Sequence, residues 1–142
     1  GKADDYIRKL EEIISETEKD MTPEWRGIAG YSLAGLFALY SLYRTDLFSR
    51  AASVSGSLWY PGIRDFIASN APKKIPDSIY LSLGEKESKG KTASVLENTK
   101  AIGQHFKAQG INTAFVLNPG NHFTEPVKRT ADALNWLAMS NK

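Results

Sequence analysis

The stretch Gly30-Tyr31-Ser32-Leu33-Ala34-Gly35 sets a serine between small residues, where an extended run passes into a helical one. That spacing fits a nucleophile elbow, a tight strand-to-helix turn that leaves the serine hydroxyl exposed. The helix N-terminus behind it presents partial positive charge, and the free N–H of Leu33 faces a developing oxyanion. The competing reading is a glycine-rich turn in which Ser32 is only a helix cap. A serine hydroxyl is a poor nucleophile at neutral pH and needs a base. The chain has two histidines. His105 falls inside a helical segment beside Phe106 and reads as structural. His122 ends the loop-forming run Asn118-Pro119-Gly120-Asn121-His122 after an extended segment, where it is placed to take the proton of Ser32 and return it to a leaving alkoxide. A carboxylate would hold the imidazole in the right tautomer. Glu85 and Glu87 both follow the extended run 78–83. Glu87 is preferred, because three loop residues let it swing back toward His122, and Glu85 is the alternative. Both could instead be solvated charges flanked by Lys86 and Lys89.

The elements that must carry these residues alternate between helical and extended. Residues 4–18 place Tyr6, Ile7, Leu10, Ile13 and Ile14 at helical spacing. Asp20-Met21-Thr22-Pro23-Glu24 ends that helix. Strands are expected at 25–29, 51–55, 78–83 and 112–117. Helices are expected at 32–43, briefly within 59–70, at 92–109 with Gly110 as its stop, and from about 124, with Val127, Ala131, Leu134, Trp136 and Leu137 as the apolar residues of the last one. Strands joined by helices imply a mostly parallel sheet of about four strands with flanking helices, a three-layer α/β domain over residues 1–142. Ligands bind such sheets at the carboxyl ends of the strands. Ser32, the glutamates and His122 all follow strands there. So does Ser55-Gly56-Ser57-Leu58-Trp59-Tyr60-Pro61, which makes Tyr31, Ser57, Trp59 and Tyr60 the candidate substrate-binding residues. Trp59 and Tyr60 would form an apolar wall, and burial of Trp59 in the core is the equal alternative.

Composition narrows the classes. At 142 residues, 42% hydrophobic and 24% charged, the chain has the balance of one folded domain. A net charge of +2 without a long basic run argues against nucleic acid. The absence of cysteine excludes disulfides, thiolate metal sites and a cysteine nucleophile. There is no HExxH, paired histidine, P-loop or GxGxxG, so no metal and no cofactor are expected. No apolar run approaches the roughly 18 residues of a spanning helix, and no signal segment opens the chain, so a cytoplasmic protein without membrane contact is expected.

Residues 30–40, Gly-Tyr-Ser-Leu-Ala-Gly-Leu-Phe-Ala-Leu-Tyr, resemble the "putative esterase" family of the α/β-hydrolase superfamily, which is esterase D-like and siderophore-esterase-like. Asp46-Leu47-Phe48, Ser55-Gly56-Ser57-Leu58-Trp59-Tyr60, Leu83-Gly84-Glu85-Lys86-Glu87 and Gly120-Asn121-His122-Phe123 fit the same template. The resemblance runs over about residues 25–137. It implies a serine carboxylesterase acting on a small-molecule ester through Ser32, His122 and Glu87 or Glu85, with Leu33 as an oxyanion donor. There are two departures. The family usually has Gly where Ala34 stands, and it has several strands before the elbow where this chain has one helix. The resemblance therefore implies a C-terminal half, without the loop that supplies a second oxyanion donor and with the elbow strand left as an edge. Such a piece is expected to be weakly active, dimeric through that edge, or inactive. Acyl transfer by the same residues, and a non-catalytic binding or interaction domain on the same scaffold, are the other functional readings.

Overall fold

A computed structural model of the chain describes residues 1–140. Helix α1 (Lys2–Thr17) is followed by β1 (Gly27–Tyr31), α2 (Leu33–Ser41), β2 (Arg50–Val54), α3 (Ile63–Ser69), β3 (Ser78–Gly84), α4 (Val95–Ala108), β4 (Asn112–Asn118) and α5 (Pro126–Met139). The strands form one parallel sheet in the order β1-β2-β3-β4. Sequence neighbours are therefore sheet neighbours, each pair joined by a helical crossover.

The two central strands explain why their sequences lack alternation. Every residue of β2 and β3 is buried, as a parallel sheet covered on both faces requires. One face packs Ala51, Ile79, Leu81 and Leu83 against Leu39, Leu42, Ile102 and Phe106 of α2 and α4 and their flanks. The other packs Ala52, Val54 and Tyr80 against Ala133 and Leu137 of α5. Helix α1 lies outside α2. Tyr6 meets the edge of Phe37, and Asp4 accepts from the Tyr40 hydroxyl and the Arg44 guanidinium.

Two expectations shift. The first strand begins at Gly27, two residues later than the apolar run suggested, because the Trp25 ring lies under the Arg50 guanidinium at 4.2 Å and stands beside the strand. The buried stripe of α5 is Arg129, Ala133 and Leu137. Val127 and Leu134, read from the sequence as part of its apolar face, are exposed. A cation thus occupies the inner stripe of the helix, and its reason lies at the site.

Strand β1 pairs with β2 along one side. Its other side carries no strand among the described residues.

Tyr43 is buried at the base of α2, its hydroxyl without a partner among the described residues, and burial pushes its phenol up to about 12. In the unfolded chain a phenol ionises near 10. Its contribution to stability is therefore complete below about pH 10 and is lost as pH rises to about 12, by about 3 kcal/mol. Urea unfolding of Tyr43→Phe should lack that part of the alkaline decline. An unchanged slope would contradict it.

Candidate active site

The carboxyl ends of the four strands gather the chemistry. Tyr31, Val54, Ser82 and Val116 stand in one row across the sheet, and the loops beyond them meet. Ser32 lies between β1 and α2 with φ 61° and ψ −122°, a backbone state that costs a non-glycine residue roughly 1–3 kcal/mol. Its N–H donates to Val54 O at 3.0 Å, and its carbonyl accepts from Gly35 and Ser57 N–H at 3.0 and 3.1 Å. The turn is held from both sides.

Close approach, rather than strain, fixes the glycines here. A Cβ on Gly30 would stand 2.1 Å from Ala34 O, and one on Gly35 would stand 2.7 Å from Ser53 Oγ and 2.9 Å from Gly56 Cα. Ala34 itself is exposed, so its methyl group meets no such restriction. The departure from the family pattern at this position therefore leaves the turn sterically intact. Gly30→Ala drives a methyl group into backbone that cannot yield. We expect it to cost about 3 kcal/mol or more in urea unfolding, and a loss under about 1 kcal/mol would refute the packing argument.

The imidazole of His122 reaches both partners. Its Nε2 lies 2.9 Å from Ser32 Oγ and its Nδ1 lies 2.6 Å from Glu87 Oε1. The Glu87 side chain is 5% exposed and that of His122 is 27% exposed, so the carboxylate is shielded while the ring meets solvent. Glu87 Oε2 accepts from Gly84 N–H and from the Ser55 hydroxyl, each at 2.6 Å. Of the two candidate acids, the structure brings Glu87 to His122. Glu85 is exposed, and its backbone N–H donates to Asn118 O. The same docking, together with Lys86 N–H to Gly120 O, presses the β3–α4 loop onto the histidine loop and turns Glu87 inward.

The histidine loop is tied at several points. Asn121 N–H donates to Thr124 Oγ1 at 3.0 Å, and Asn121 Oδ1 accepts from Phe123 N–H at 2.8 Å. The Tyr31 hydroxyl donates to His122 O, and its ring stacks on the imidazole at 5.0 Å. Burial pushes the Tyr31 phenol above its usual value, which keeps it a donor. Tyr31, expected to touch substrate, instead packs on His122 and lies outside the cavity lining, because the strand-end register points it at the loop. Phe123 meets the other side of the ring edge-on.

Beside Ser32 Oγ opens a cavity of about 300 Å³ lined by Ser32, Ser55, Gly56, Ser57, Trp59, Glu87, Thr92, Val95, His122 and Phe123. Ser57 and Trp59 fall where the sequence suggested. Tyr60 is exposed and outside this lining. Asn98 Nδ2 donates to Leu58 O at 2.8 Å and pins the loop that carries them. Leu33 opens α2, so its N–H has no acceptor within the helix. His105 lies on α4 against Phe106 and takes no part. Among the described residues no group of three or more His, Cys, Asp or Glu side chains could hold a metal ion.

Sequence reasoning missed two members of this constellation. Ser55 is fully buried with φ 46° and touches Glu87. Arg129 is 3% exposed and donates to the Ser55 hydroxyl. The signal for Arg129 was present as a cation in register with Ala133 and Leu137 at i, i+4 and i+8. It was masked by the larger apolar residues on the neighbouring face.

The sequence profile of the family described as "Putative esterase" matches residues 4–126. An uncharacterized protein of Bacillus subtilis, YbbA, is 27% identical over 146 residues, covering 96% of this chain and 57% of that protein. The chain therefore spans little more than half of that curated relative. Among solved structures, SOBER1 of Arabidopsis thaliana superposes with a TM-score of 0.67 at 22% identity, over 96% of this chain and 63% of its own. The enterobactin esterase FES of Shigella flexneri gives 0.67 at 18%, over 91% and 35%. The siderophore hydrolase EstB of Aspergillus nidulans gives 0.59 at 18%, over 94% and 56%. At these identities the likeness is one of fold.

Proposed function

Because the chain belongs to the "Putative esterase" family, we propose that it carries the catalytic centre of a serine carboxylic-ester hydrolase. Ser32 is the nucleophile, His122 the general base and acid, Glu87 the carboxylate that holds His122, and Leu33 N–H an oxyanion donor. The observation that carries this reading is the continuous pair of contacts from Ser32 Oγ to His122 Nε2 at 2.9 Å and from His122 Nδ1 to Glu87 Oε1 at 2.6 Å.

The steps follow from the donors. Ser32 Oγ attacks the ester carbonyl carbon while its proton passes to His122 Nε2. The carbonyl oxygen becomes an oxyanion beside Leu33 N–H and the positive end of α2. Glu87 stabilises the imidazolium and stays ionised. Collapse breaks the bond to the alkoxide, which leaves with the proton from His122, and the acyl group remains on Ser32. Water then gives its proton to His122 and attacks the acyl carbon, the bond to Ser32 Oγ breaks with return of that proton from His122 to the serine oxygen, and the acid is released. Trp59 and Phe123 flank the cavity and favour an ester with an apolar acyl or aryl group.

A fluorophosphonate probe tests the reading on the chain as it stands. We expect one stoichiometric adduct, mapped by mass spectrometry to the peptide containing Ser32. A folded sample that stays unlabelled, or is labelled elsewhere, would favour a binding domain on the same scaffold.

A further inference from the structure

Four side-chain hydroxyls line the cavity beside Ser32, and three of them are engaged. Ser32 Oγ faces His122 Nε2, Ser55 Oγ donates to Glu87 Oε2, and Thr92 Oγ1 donates to Glu87 O. The fourth, that of Ser57, has no hydrogen-bond partner among the described residues, although the residue is only 7% exposed. The hydroxyls of Ser53, Ser78 and Ser82 also lack partners, but they are sealed in the core. That of Ser57 is not sealed, and the surface the residue keeps opens on the cavity. We propose that Ser57 is a specificity-determining residue whose hydroxyl binds a hydroxyl on the acyl group of the substrate, so that the site prefers hydroxyacyl esters to plain alkyl ones. The assignment to the acyl group rests on the esterase reading, which attaches that group to Ser32.

A buried hydroxyl that no protein group satisfies must bond to water or to a ligand. A ligand that lays an apolar chain against Ser57 displaces the water and leaves the hydroxyl unsatisfied. One that presents a hydroxyl there restores the bond. Serine offers one donor and two acceptor sites, and a hydroxyl is the smallest neutral group that answers both. The matching group is neutral because the lining holds a carboxylate, Glu87, and no lysine or arginine. Its place follows from the elbow. Ser57 N–H donates to Ser32 O at 3.1 Å, so the residue stands against the backbone of the nucleophile. The acyl group stays on Ser32 through the reaction, whereas the alkoxide leaves beside His122, which another loop carries. Ser57 is also fixed in advance, since Ser57 O accepts from Tyr60 N–H at 3.1 Å and the next carbonyl, Leu58 O, accepts from Asn98 Nδ2 at 2.8 Å. Trp59, Val95 and Phe123 supply the rest of the wall. The favoured acyl group is therefore apolar along its chain and hydroxylated near its carbonyl.

Ethyl butyrate and the two enantiomers of ethyl 3-hydroxybutyrate differ by that one oxygen. The first readout needs no turnover: the affinities of these esters for the Ser32→Ala chain, by amide shift titration, with and without Ser57→Ala. One hydroxy ester should bind at least about tenfold more tightly than ethyl butyrate, and the ratio should fall to within about threefold when Ser57 is replaced. The second readout is the ratio of kcat/KM for the same esters with Ser32 intact, from titration of the released acid, and the same change is expected. A ratio taken on one sample does not depend on its folded fraction. Ser57→Cys, similar in shape and a weaker hydrogen bonder, takes the place of Ser57→Ala if that chain does not fold. A parent without the preference, or a preference that survives the replacement of Ser57, overturns the proposal. So does a Ser57-dependent preference for 2-hydroxyethyl butyrate in place of the hydroxyacyl ester, which would put the contact on the alcohol side. A Ser57-dependent binding preference in a chain that hydrolyses none of the esters and takes no fluorophosphonate would sink the esterase reading and keep the hydroxyl contact. Hydrolysis without the preference would do the reverse.

Discussion

Ser32→Ala is expected to abolish the fluorophosphonate adduct and to lower kcat/KM for p-nitrophenyl acetate by about 10⁴-fold or more, to the level of the buffer reaction where the parent activity is modest. In the proposed mechanism the substitution removes the atom that forms the acyl bond and leaves His122 with no oxygen to deprotonate. Its effect on stability should be small, within about 1 kcal/mol. The reason is specific. Ser32 holds φ 61° whether its side chain is hydroxymethyl or methyl, so the backbone cost is unchanged. Ser32→Gly provides the contrast. It removes the same atom and also the Cβ, and glycine adopts this φ freely. We expect Ser32→Gly to be more stable than Ser32→Ala by about 1 kcal/mol in urea unfolding, with both inactive. Equal stability would show that the elbow stores no strain. Retention of more than a tenth of the parent rate by either variant would show that another residue attacks the ester. Circular dichroism should show all three chains folded alike.

How much of this was legible beforehand depends on which physical signal each part used. The parallel sheet was legible because each strand is bounded by turn residues and separated from the next by a helical period, whereas the order β1-β2-β3-β4 was not, since right-handed crossovers allow several orders of parallel strands. The elbow was legible because two glycines must stand where backbones touch, and such positions accept no other residue. His122 was legible by scarcity. The choice between Glu87 and Glu85 was not decided by pattern, since it depends on two hydrogen bonds from the β3–α4 loop to the β4–α5 loop, Glu85 N–H to Asn118 O and Lys86 N–H to Gly120 O. These form across more than thirty residues of chain and leave no local trace. The orientation of Tyr31 was not legible for a related reason. Its place beside Ser32 was visible, but whether it turned to the cavity or to the imidazole depended on a loop that starts at residue 119. Arg129 was the remaining omission. Val127 and Leu134, seven residues apart, share one side of the helix and offer an apolar stripe, and the true inner stripe contains a cation that only a buried polar partner would justify.

Glu87→Gln carries the second large effect, and its sign can be worked out from the same donors. The amide has one acceptor oxygen and one donor nitrogen where the carboxylate has two acceptors. The position of Oε2 faces two donors, Gly84 N–H and the Ser55 hydroxyl. The backbone N–H cannot reverse its role, so the amide oxygen must take that position. The amide NH₂ is then directed at His122 Nδ1, which can accept only if it carries no hydrogen. The ring must switch to Nε2–H, and that hydrogen points at Ser32 Oγ, where a lone pair is required. The base is therefore blocked while the shape of the site is nearly unchanged. A wrong tautomer of this kind lowers turnover by about 10⁴-fold, and we expect kcat to fall by that order with KM within a few-fold. Stability should also fall, by about 3 kcal/mol, because Arg129 and Glu87 are both about 95% buried and the cation loses its anion. The two losses separate by temperature. Activity measured well below the unfolding transition should still show the full kinetic loss, because the tautomer and not the folded fraction is responsible. A Glu87→Gln chain within about tenfold of the parent at that temperature would mean that the Gly84 and Ser55 donors do not set the orientation of the carboxylate.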